Sequence, residues 1–579
     1  MTMRLTHVLL LLAVLDGNRA WALTVGVDAP ESVRPMLVKY LETARAARQK
    51  EQPDEMELAR LRAQSLATAK ELLATEGYFS PRIDTELKRR DGEWQLQYRV
   101  DPGPRTLVRA VVIEFAGDLA GADADKPARQ EAIRQSFALK PGMPFRQSDW
   151  DVAKTMLLRA LVTDTYPAGV MTASEARIDP GTQSAHLMLR LESGPAFHYG
   201  AETVTGNMRY PLTVISALSP LKPGQPYRLQ DVLDYKTALE SSGYYAQATV
   251  RVDADPANAA AAPISVQVVE HPEKRFSVGI GASTDSGPRV QFGFLQRNLM
   301  DQALRLNFDA RVEKEQQSGE TVLAWPRDAG GYENSIGFRL KHEDIEGQQV
   351  SNTLFNGKRS RIQGLNEVTL SLQYHTETQE VGNVLSNRNQ ALIGNYAFTR
   401  RTSGKAFYPR RGYVLNLQAG GATQELLSDT SFFRLYGRHT QFLVAGKDGR
   451  LVARAELGSV IAESRNGIPT DFLFRAGGDN SVRGYAYQSL GRDLSGGIAS
   501  VAYLVTGSVE YNYFFNQTWG AALFVDAGDA ADSPAALNPV VGSGLGMRYR
   551  SPVGPINVDI AYGRATQRYR LHFSLGAAF

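Results

Sequence analysis

Apolar and polar side chains alternate through the second half of the chain, from about residue 274 to the end. In the segment 368–374 every second residue is apolar, so a strand there has one apolar and one polar face. A sheet in hydrocarbon has to close on itself, because lipid cannot satisfy the backbone groups of an open edge. The roughly 305 residues of this half suffice for about sixteen strands with their turns. The pattern therefore predicts a 16-stranded antiparallel transmembrane β-barrel over 274–579.

The last nine positions carry this alternation to the end of the chain. Apolar residues occupy every second position: Leu571, Phe573, Leu575, Ala577 and Phe579. A terminal Phe that closes a regular alternation is typical of the last strand of an outer-membrane barrel, and the many strand Tyr and Phe residues suit its interfacial girdles. A soluble sandwich or propeller is the alternative, and the N-terminus argues against it.

The N-terminus has the features of a secretory signal. A basic start at Arg4 precedes a compact apolar run over 8–15, and Ala20-Trp21-Ala22 fits a small-x-small cleavage pattern. A membrane anchor is the alternative, but the run is too short to cross about 30 Å of hydrocarbon as a helix. We therefore expect a signal peptide over 1–22.

Between the signal and the barrel the sequence contains a repeat. The segment 139–146 (LKPGMPFR) returns as 221–228 (LKPGQPYR), and a helical pattern follows each copy. Helical stretches end at Gly-Tyr pairs and lead into pairs of strands. This periodicity predicts three α+β units of order β-α-α-β-β, each of a size usual for small domains. We place them at 23–103, 104–193 and 194–273, with a boundary near His271-Pro272.

Composition excludes several classes of function. The formal net charge is +3, too small for a field that would hold nucleic acid, and there are no cysteines for thiol chemistry, disulfides or cysteine–zinc sites. The eight histidines show no ligand spacing, and neither a Gly-x-Ser-x-Gly elbow nor a phosphate-binding loop is present. The sequence predicts no catalytic residue, no cofactor and no metal site.

Three motifs in the barrel half carry a family resemblance. They are Ser481-Val482-Arg483-Gly484-Tyr485, Phe524-Val525-Asp526-Ala527-Gly528, and Gly544-Leu545-Gly546-Met547-Arg548 followed by 551–556. In this order after the repeats, they resemble the outer-membrane insertase superfamily, which contains BamA, TamA and the two-partner-secretion transporters. The repeats resemble the polypeptide-transport-associated (POTRA) domains of that superfamily. Such domains expose sheet edges in the periplasm, and we expect these edges to take an extended client peptide as an extra strand.

The resemblance implies a contact inside the barrel. A long loop would fold into the lumen and place Arg483 against the wall, where Asp526 accepts its hydrogen bonds and Glu510 is a further partner. Arginine suits this role because its planar fork binds a carboxylate at two points. Gly484 would allow a turn where a side chain does not fit. The alternative is an ordinary turn and a surface aspartate.

The resemblance also implies a lateral gate between the first barrel strand, near 275–282, and the last, near 570–579. The residues that define it are Phe276, Gly279, Gly281, Phe573, Gly576 and Phe579. Glycines weaken strand pairing, so this seam would open sideways and template a client strand. The alternative is that the glycines only make room for neighbouring side chains inside the barrel.

The number of repeats distinguishes the branches of the superfamily. BamA-like proteins carry five POTRA domains, and two-partner-secretion transporters carry two after a plug helix. Three domains, the first expected to begin at Leu23, resemble the TamA family. This implies an outer-membrane protein with periplasmic N-terminal domains, a TamB-like inner-membrane-anchored partner, and autotransporter or other outer-membrane protein clients. A two-partner-secretion type transporter and a passive channel are alternatives, and phospholipid transport is a second possibility within the TamA family.

Overall fold

The computed structural model describes residues 23–49, 53–90, 93–382, 384–404, 408–551 and 554–575. Three earlier predictions lie outside the described residues: the signal peptide at 1–22, and the gate residues Gly576 and Phe579. Residues 552–553 of the late-strand motif lie outside them as well. Among the described helices, none is both long enough and apolar enough to cross a bilayer.

The chain forms two compact units, and their boundary passes through the third repeat. The first unit contains the chain up to Thr203 together with Leu221–Leu233 and Arg251–Ser265. The second contains Val204–Pro220, Asp234–Val250 and everything from Val266 onward, which includes the whole barrel.

The first repeat is a three-stranded sheet covered by helices. Its elements are β1 (Leu23–Asp28), α1 (Arg34–Tyr40), α2 (Glu42–Arg48), α3 (Glu55–Thr75), β2 (Arg82–Arg90) and β3 (Glu93–Asp101). Strand β3 is central, parallel to β1 and antiparallel to β2. The predicted order of two helices is wrong here, because Leu41 adopts an extended backbone (φ −60°, ψ 134°) that separates α1 from α2.

The second and third repeats follow the predicted β-α-α-β-β order. The second contains β4 (Leu107–Ala116), α4 (Lys126–Ser136), α5 (Gln147–Val162), β5 (Val170–Asp179) and β6 (Ser184–Glu192). The third contains β7 (Tyr199–Thr205), α6 (Leu212–Leu218), α7 (Leu229–Ser241), β8 (Tyr245–Val252) and β9 (Ala262–Glu270). In both sheets the last strand of the repeat is central, so the other two strands form the edges.

The repeated Leu-Lys-Pro-Gly segments make the same turn twice. Gly142 and Gly224 have φ of +87° and +81°, a backbone conformation that glycine adopts without strain. The Gly142 N–H donates to the Val108 carbonyl and the Gly224 N–H to the Tyr199 carbonyl, each over 2.8 Å. The sequence repeat is therefore a structural repeat that joins each turn to the first strand of its domain.

Sixteen strands close into a barrel in which every strand is antiparallel to its neighbours, which confirms the predicted fold class. They are β10 (Lys274–Ser283), β11 (Gly287–Leu299), β12 (Leu304–Glu313), β13 (Gln316–Ala324), β14 (Tyr332–Ile345), β15 (Gln348–Gln363), β16 (Asn366–Val381), β17 (Leu385–Arg401), β18 (Gly412–Ala422), β19 (Phe432–Ala445), β20 (Gly449–Ala462), β23 (Tyr503–Phe514), β24 (Trp519–Ala531), β25 (Val540–Ser551), β26 (Gly554–Gly563) and β27 (Arg568–Leu575). A small hairpin, β21 (Arg492–Leu494) and β22 (Gly497–Ala499), lies in the loop between β20 and β23.

Polar side chains fill the interior of the barrel and apolar side chains cover its exterior. On β23, Ser508 and Asn512 are buried, whereas Val509 and Tyr511 are exposed. This is the reverse of a soluble barrel, whose interior is apolar, and it fits a lipid-facing outer surface. The alternation in the sequence thus follows from the two different solvents on the two faces of the sheet.

The first and last strands of the barrel meet where β10 pairs with β27. Strand β10 pairs with β11 over its whole length, and β27 does so with β26. Between β10 and β27, the described residues form one strand pair, Ser283 with Ser574. Beside it, the Thr284 N–H donates to the Phe573 carbonyl and the Phe573 N–H to Thr284 Oγ1, each over 3.1 Å. We call this join the seam.

Candidate functional site

The loop between β20 and β23, residues 463–502, folds into the barrel and is called the lumen loop below. Its first part is held by strands β14 and β16. The Thr470 hydroxyl donates to Glu377 Oε2 over 2.7 Å, and Asp471 forms ion pairs with Arg339 and with Lys341, the latter at 2.6 Å. Its later part contacts β23 to β27. The loop therefore crosses the lumen from one part of the wall to another.

Arg483 lies at the far end of this crossing, against Asp526 of β24. Its Nε and Nη2 donate to the two carboxylate oxygens over 2.7 and 3.0 Å, and its backbone N–H donates to Oδ2 over 3.1 Å. Its Nη1 donates to Glu510 Oε2 of β23 over 2.6 Å. The structure thus brings together the three charged residues that the resemblance singled out.

Two further charged residues complete the network. Arg483 Nη1 also reaches Asp559 Oδ2 of β26 at 3.0 Å. Arg548 of β25 lies between the same two acids, 3.0 Å from Glu510 and 2.5 Å from Asp559. Sequence reasoning assigned no role to Arg548 or Asp559. The strand alternation predicts that both side chains face the lumen. It does not predict which side chains contact each other there.

Gly484 follows the arginine at a point where backbones nearly touch. Its φ is +95°, and a Cβ added there would lie 2.8 Å from the Gly563 backbone nitrogen. From the other side, a Cβ on Gly542 would lie 1.8 Å from the Arg483 carbonyl oxygen. Glycine at these positions is what allows the loop to reach the wall.

The remaining motif residues support this contact. Val482 is fully buried. The Tyr485 hydroxyl donates to the Val541 carbonyl over 3.2 Å and accepts from the Ala565 N–H over 3.0 Å. Phe524 places its ring under the Arg483 guanidinium, 3.4 Å from centroid to carbon. At Gly528 an added Cβ would lie 2.7 Å from the Val505 carbonyl oxygen, so this position needs a small residue.

The lumen loop also bridges the seam, through Asp479. Its carboxylate Oδ1 lies 2.6 Å from His572 Nδ1 of β27 and accepts from the Thr284 hydroxyl, next to β10, over 3.3 Å. Its backbone N–H donates to the Asp285 carboxylate over 3.0 Å. Asp285 lies in the turn between β10 and β11, so one loop residue contacts both sides of the seam.

The described gate residues lie on the two strands that form the seam, Phe276, Gly279 and Gly281 on β10 and Phe573 on β27. Phe276 is exposed on β10 and packs on Phe294 of β11 at 4.9 Å between ring centroids. Gly279 pairs with Gln291, and a Cβ on Gly281 would lie 3.1 Å from the Arg289 guanidinium. At Gly281 the geometry favours the alternative explanation that glycine makes room for a neighbour. Phe573 takes part in the seam itself through its bonds to Thr284.

Asp285, Asp479 and His572 bring three potential metal-ligand atoms within 4.8 Å of one another. The hydrogen bonds argue against a metal. The Gly484 N–H donates to His572 Nε2 over 2.9 Å, so that nitrogen carries the lone pair and Nδ1 carries the hydrogen. A hydrogen-bearing Nδ1 donates to Asp479 and cannot bind a cation. We therefore interpret the group as a hydrogen-bonded bridge.

Family comparisons agree with this architecture. The model described as Omp85 superfamily domain matches residues 274–579. The model described as POTRA domain TamA domain 1 matches 31–102, and a POTRA model described as surface antigen variable number repeat matches 197–271. The matches thus cover the whole barrel, the first repeat and the third.

Solved structures are similar in fold at low sequence identity. BamA from Haemophilus ducreyi lacking POTRA domains 1–3 is 14% identical with a TM-score of 0.63, and the match covers 81% of this chain and 99% of that one. CdiB from Acinetobacter baumannii is 12% identical with a TM-score of 0.47, covering 90% and 99%. CdiB from Escherichia coli is 12% identical with a TM-score of 0.47, covering 81% and 90%. The BamA match supports the fold alone.

Proposed function

The chain belongs to the Omp85 superfamily, and from this premise we propose that it is an assembly factor that helps to insert or secrete autotransporters and other β-barrel proteins. Omp85 proteins are outer-membrane insertases and transporters, not enzymes. The barrel lies in the outer membrane and the POTRA domains lie in the periplasm.

Within the family, the first repeat supports a TamA-type role. Residues 31–102 match a family model described as POTRA domain TamA domain 1. A TamA-type protein would work with a TamB-like, inner-membrane-anchored partner that docks on the POTRA region. Photocrosslinking amino acids on the exposed helix face of the first repeat should capture this partner in cells.

The observation that carries the proposal is the bridge that the lumen loop makes across the seam through Asp479. When the seam opens, β10 presents unpaired backbone N–H and C=O groups in the membrane. A client strand can pair with that edge, because strand addition needs backbone groups rather than a particular sequence. The client barrel would then grow from the seam.

A disulfide across the seam tests this step. Ser283 and Ser574 are paired directly, and the chain has no cysteine of its own. The double variant Ser283→Cys/Ser574→Cys, oxidised in proteoliposomes, should lose client folding and recover it on reduction. Each single cysteine variant is the control. Undiminished client folding by the crosslinked protein would contradict lateral opening.

The sheet edges of the POTRA domains are proposed to hold unfolded clients. Strand β5 is an edge strand of the second repeat, and its Glu175 is exposed. A photocrosslinker at Glu175 should capture client segments, whereas one at Val152, exposed on helix α5, should not. Equal capture at both positions would point to non-specific contact.

The alternatives predict different measurements. A passive channel needs an open lumen, and the crossing of the lumen loop argues against one. A two-partner-secretion transporter would export one dedicated substrate, whereas depletion of a general assembly factor would reduce several outer-membrane proteins. Phospholipid transport would appear as transfer of labelled lipid that depends on this protein without any change in client proteins.

A further inference from the structure

A polar cavity of about 370 Å³ lies in the lumen beside Arg483. Arg438 of β19 and Arg450 and Arg454 of β20 form one side of it. Strand β20 begins at the same end of the barrel as β10, so Arg450, next to its first residue, lies towards the periplasm. The cavity also reaches the seam, because Ser574 of β27 lines it.

These three arginines differ from the other arginines of the cavity. Within the described part of the chain, no carboxylate lies within 4 Å of their guanidinium groups. By contrast, the acids of β23, β24 and β26 already neutralise Arg483 and Arg548 on the facing wall. The β19–β20 side of the cavity therefore carries positive charge that no direct ion pair among the described residues neutralises.

Their hydrogen-bond donors are also largely unused. Arg450 is 9% exposed, yet its Nε has no partner in the described structure, and its Nη1 donates only to the Pro409 carbonyl over 3.2 Å. Arg454 makes two long contacts, 3.3 Å to Ser508 Oγ and 3.5 Å to the Asn480 carbonyl. A buried cation without a direct ion pair is costly, and a bound anion would offset that cost.

We propose that this cavity, named here the arginine cavity, binds a phosphate group through Arg438, Arg450 and Arg454. Guanidinium forks match the oxygens of phosphate and keep their charge at any physiological pH. The carboxylates that line the cavity have other partners: Glu510 and Asp559 pair with Arg483 and Arg548, and Asp479 contacts His572 and Thr284. Because Ser574 lines both the cavity and the seam, the phosphate can belong to a lipid headgroup or can be a free ion.

Titration of the full-length protein in neutral detergent tests the proposal and separates these two sources. Three probes are compared by calorimetry: inorganic phosphate, dihexanoyl-phosphatidylglycerol, and dihexanoylglycerol, which has the same chains without phosphate. The variants are Arg450→Gln and Arg454→Gln. The control is Arg388→Gln, which removes a charge from an exposed position of β17 that does not line the arginine cavity. Gel mobility with and without boiling verifies that each variant is folded.

The expected result is binding of the phosphate-bearing probes, weakened at least tenfold in both variants and unchanged in Arg388→Gln, since a charged hydrogen bond contributes about a factor of ten or more. Tighter binding of the phospholipid than of inorganic phosphate identifies a lipid, and similar binding identifies the ion. Absence of phosphate binding, equal binding of dihexanoylglycerol, or full affinity in the variants would overturn the proposal. If either variant fails to fold, Arg438→Gln replaces it.

Discussion

Arg483 and Asp526 form a two-point ion pair that is almost completely withdrawn from solvent. The two side chains are 3% and 0% exposed. The pair joins a loop residue to a barrel strand 43 positions later in the chain. Loss of either charge therefore affects the position of the lumen loop and the stability of the barrel together.

We expect Arg483→Ala to lower the free energy of unfolding by about 3–5 kcal/mol, because Asp526 remains buried without its cation. The measurement is the urea concentration at which the folded, heat-modifiable gel band disappears. The unfolding midpoint of Arg483→Lys should lie between those of the parent and Arg483→Ala, because one ammonium does not reproduce the two-point contact.

A second arginine of the lumen loop serves as the control. Arg492 is about half exposed and lies 3.5 Å from Asp532. Exposed pairs of this kind contribute about 0–1 kcal/mol, so Arg492→Ala should leave the unfolding midpoint nearly unchanged. An equal drop in the unfolding midpoint of Arg483→Ala and Arg492→Ala would contradict a special role for Arg483.

Gly484→Ala should destabilise the barrel more than Gly446→Ala. Both glycines have positive φ, +95° at Gly484 and +76° at Gly446, so alanine at either position introduces a backbone strain of about 1–2 kcal/mol. Only at Gly484 does the new Cβ also meet backbone, 2.8 Å from Gly563 N, whereas at Gly446 nothing lies within 4 Å. We expect a further loss of roughly 1–3 kcal/mol from that overlap. Unfolding midpoints of the two variants give the comparison, and equal midpoints would show that the close approach is unimportant.

The fold was predictable because its signals are local. A period of two residues reveals a strand with two different faces, and the repeated Leu-Lys-Pro-Gly turns reveal the repeats. The extra helix boundary at Leu41 was missed because no proline or glycine marks it. A break that depends only on one extended residue leaves no sequence signal.

The site was predictable only in part, for a different reason. Arg483 and Asp526 lie in motifs that resemble known ones, but the roles of Arg548 and Asp559 depend on the strand register. Asp479 contacts Asp285, 194 positions earlier, and His572, 93 positions later, because of the path that the loop takes through the lumen. Residue type and spacing do not determine such a path.

Asp479→Ala should loosen the seam. The variant removes the carboxylate that accepts from Thr284 and contacts His572, and so removes the bridge between β10 and β27. Nitroxide labels at Ser283→Cys and Ser574→Cys report the separation of the strands through the dipolar broadening of their EPR spectrum. We expect broadening to fall in Asp479→Ala.

Asp493→Ala is the matched control for this change. Asp493 lies on the same loop, in β21, and is exposed. The broadening should equal that of the labelled parent. If Asp479→Ala also matches the parent, the loop does not hold the seam.

The seam should hold more tightly at pH 5.5 than at pH 8.5. Burial, together with the nearby Asp479 carboxylate, raises the pKa of Asp285 from 3.8 to about 7. A group whose pKa is raised in the folded state gives its full stabilisation below the unfolded value, and loses it as pH rises through the folded value. Above about pH 7, Asp285 is ionised beside Asp479, and the two carboxylates repel each other.

The same EPR labels measure this effect, and Asp285→Asn isolates its source. The groups that face Asp285 are Asp479 and Tyr487 of the lumen loop and His572 of β27. All three remain in the variant, so their own contributions cancel in the comparison. An amide mimics the protonated acid, so Asp285→Asn should keep strong broadening at both pH values while the parent loses it at pH 8.5. A parent seam that tightens with rising pH, or a variant with the same pH dependence as the parent, would contradict the assignment, because ionisation of Asp285 is the only difference between them.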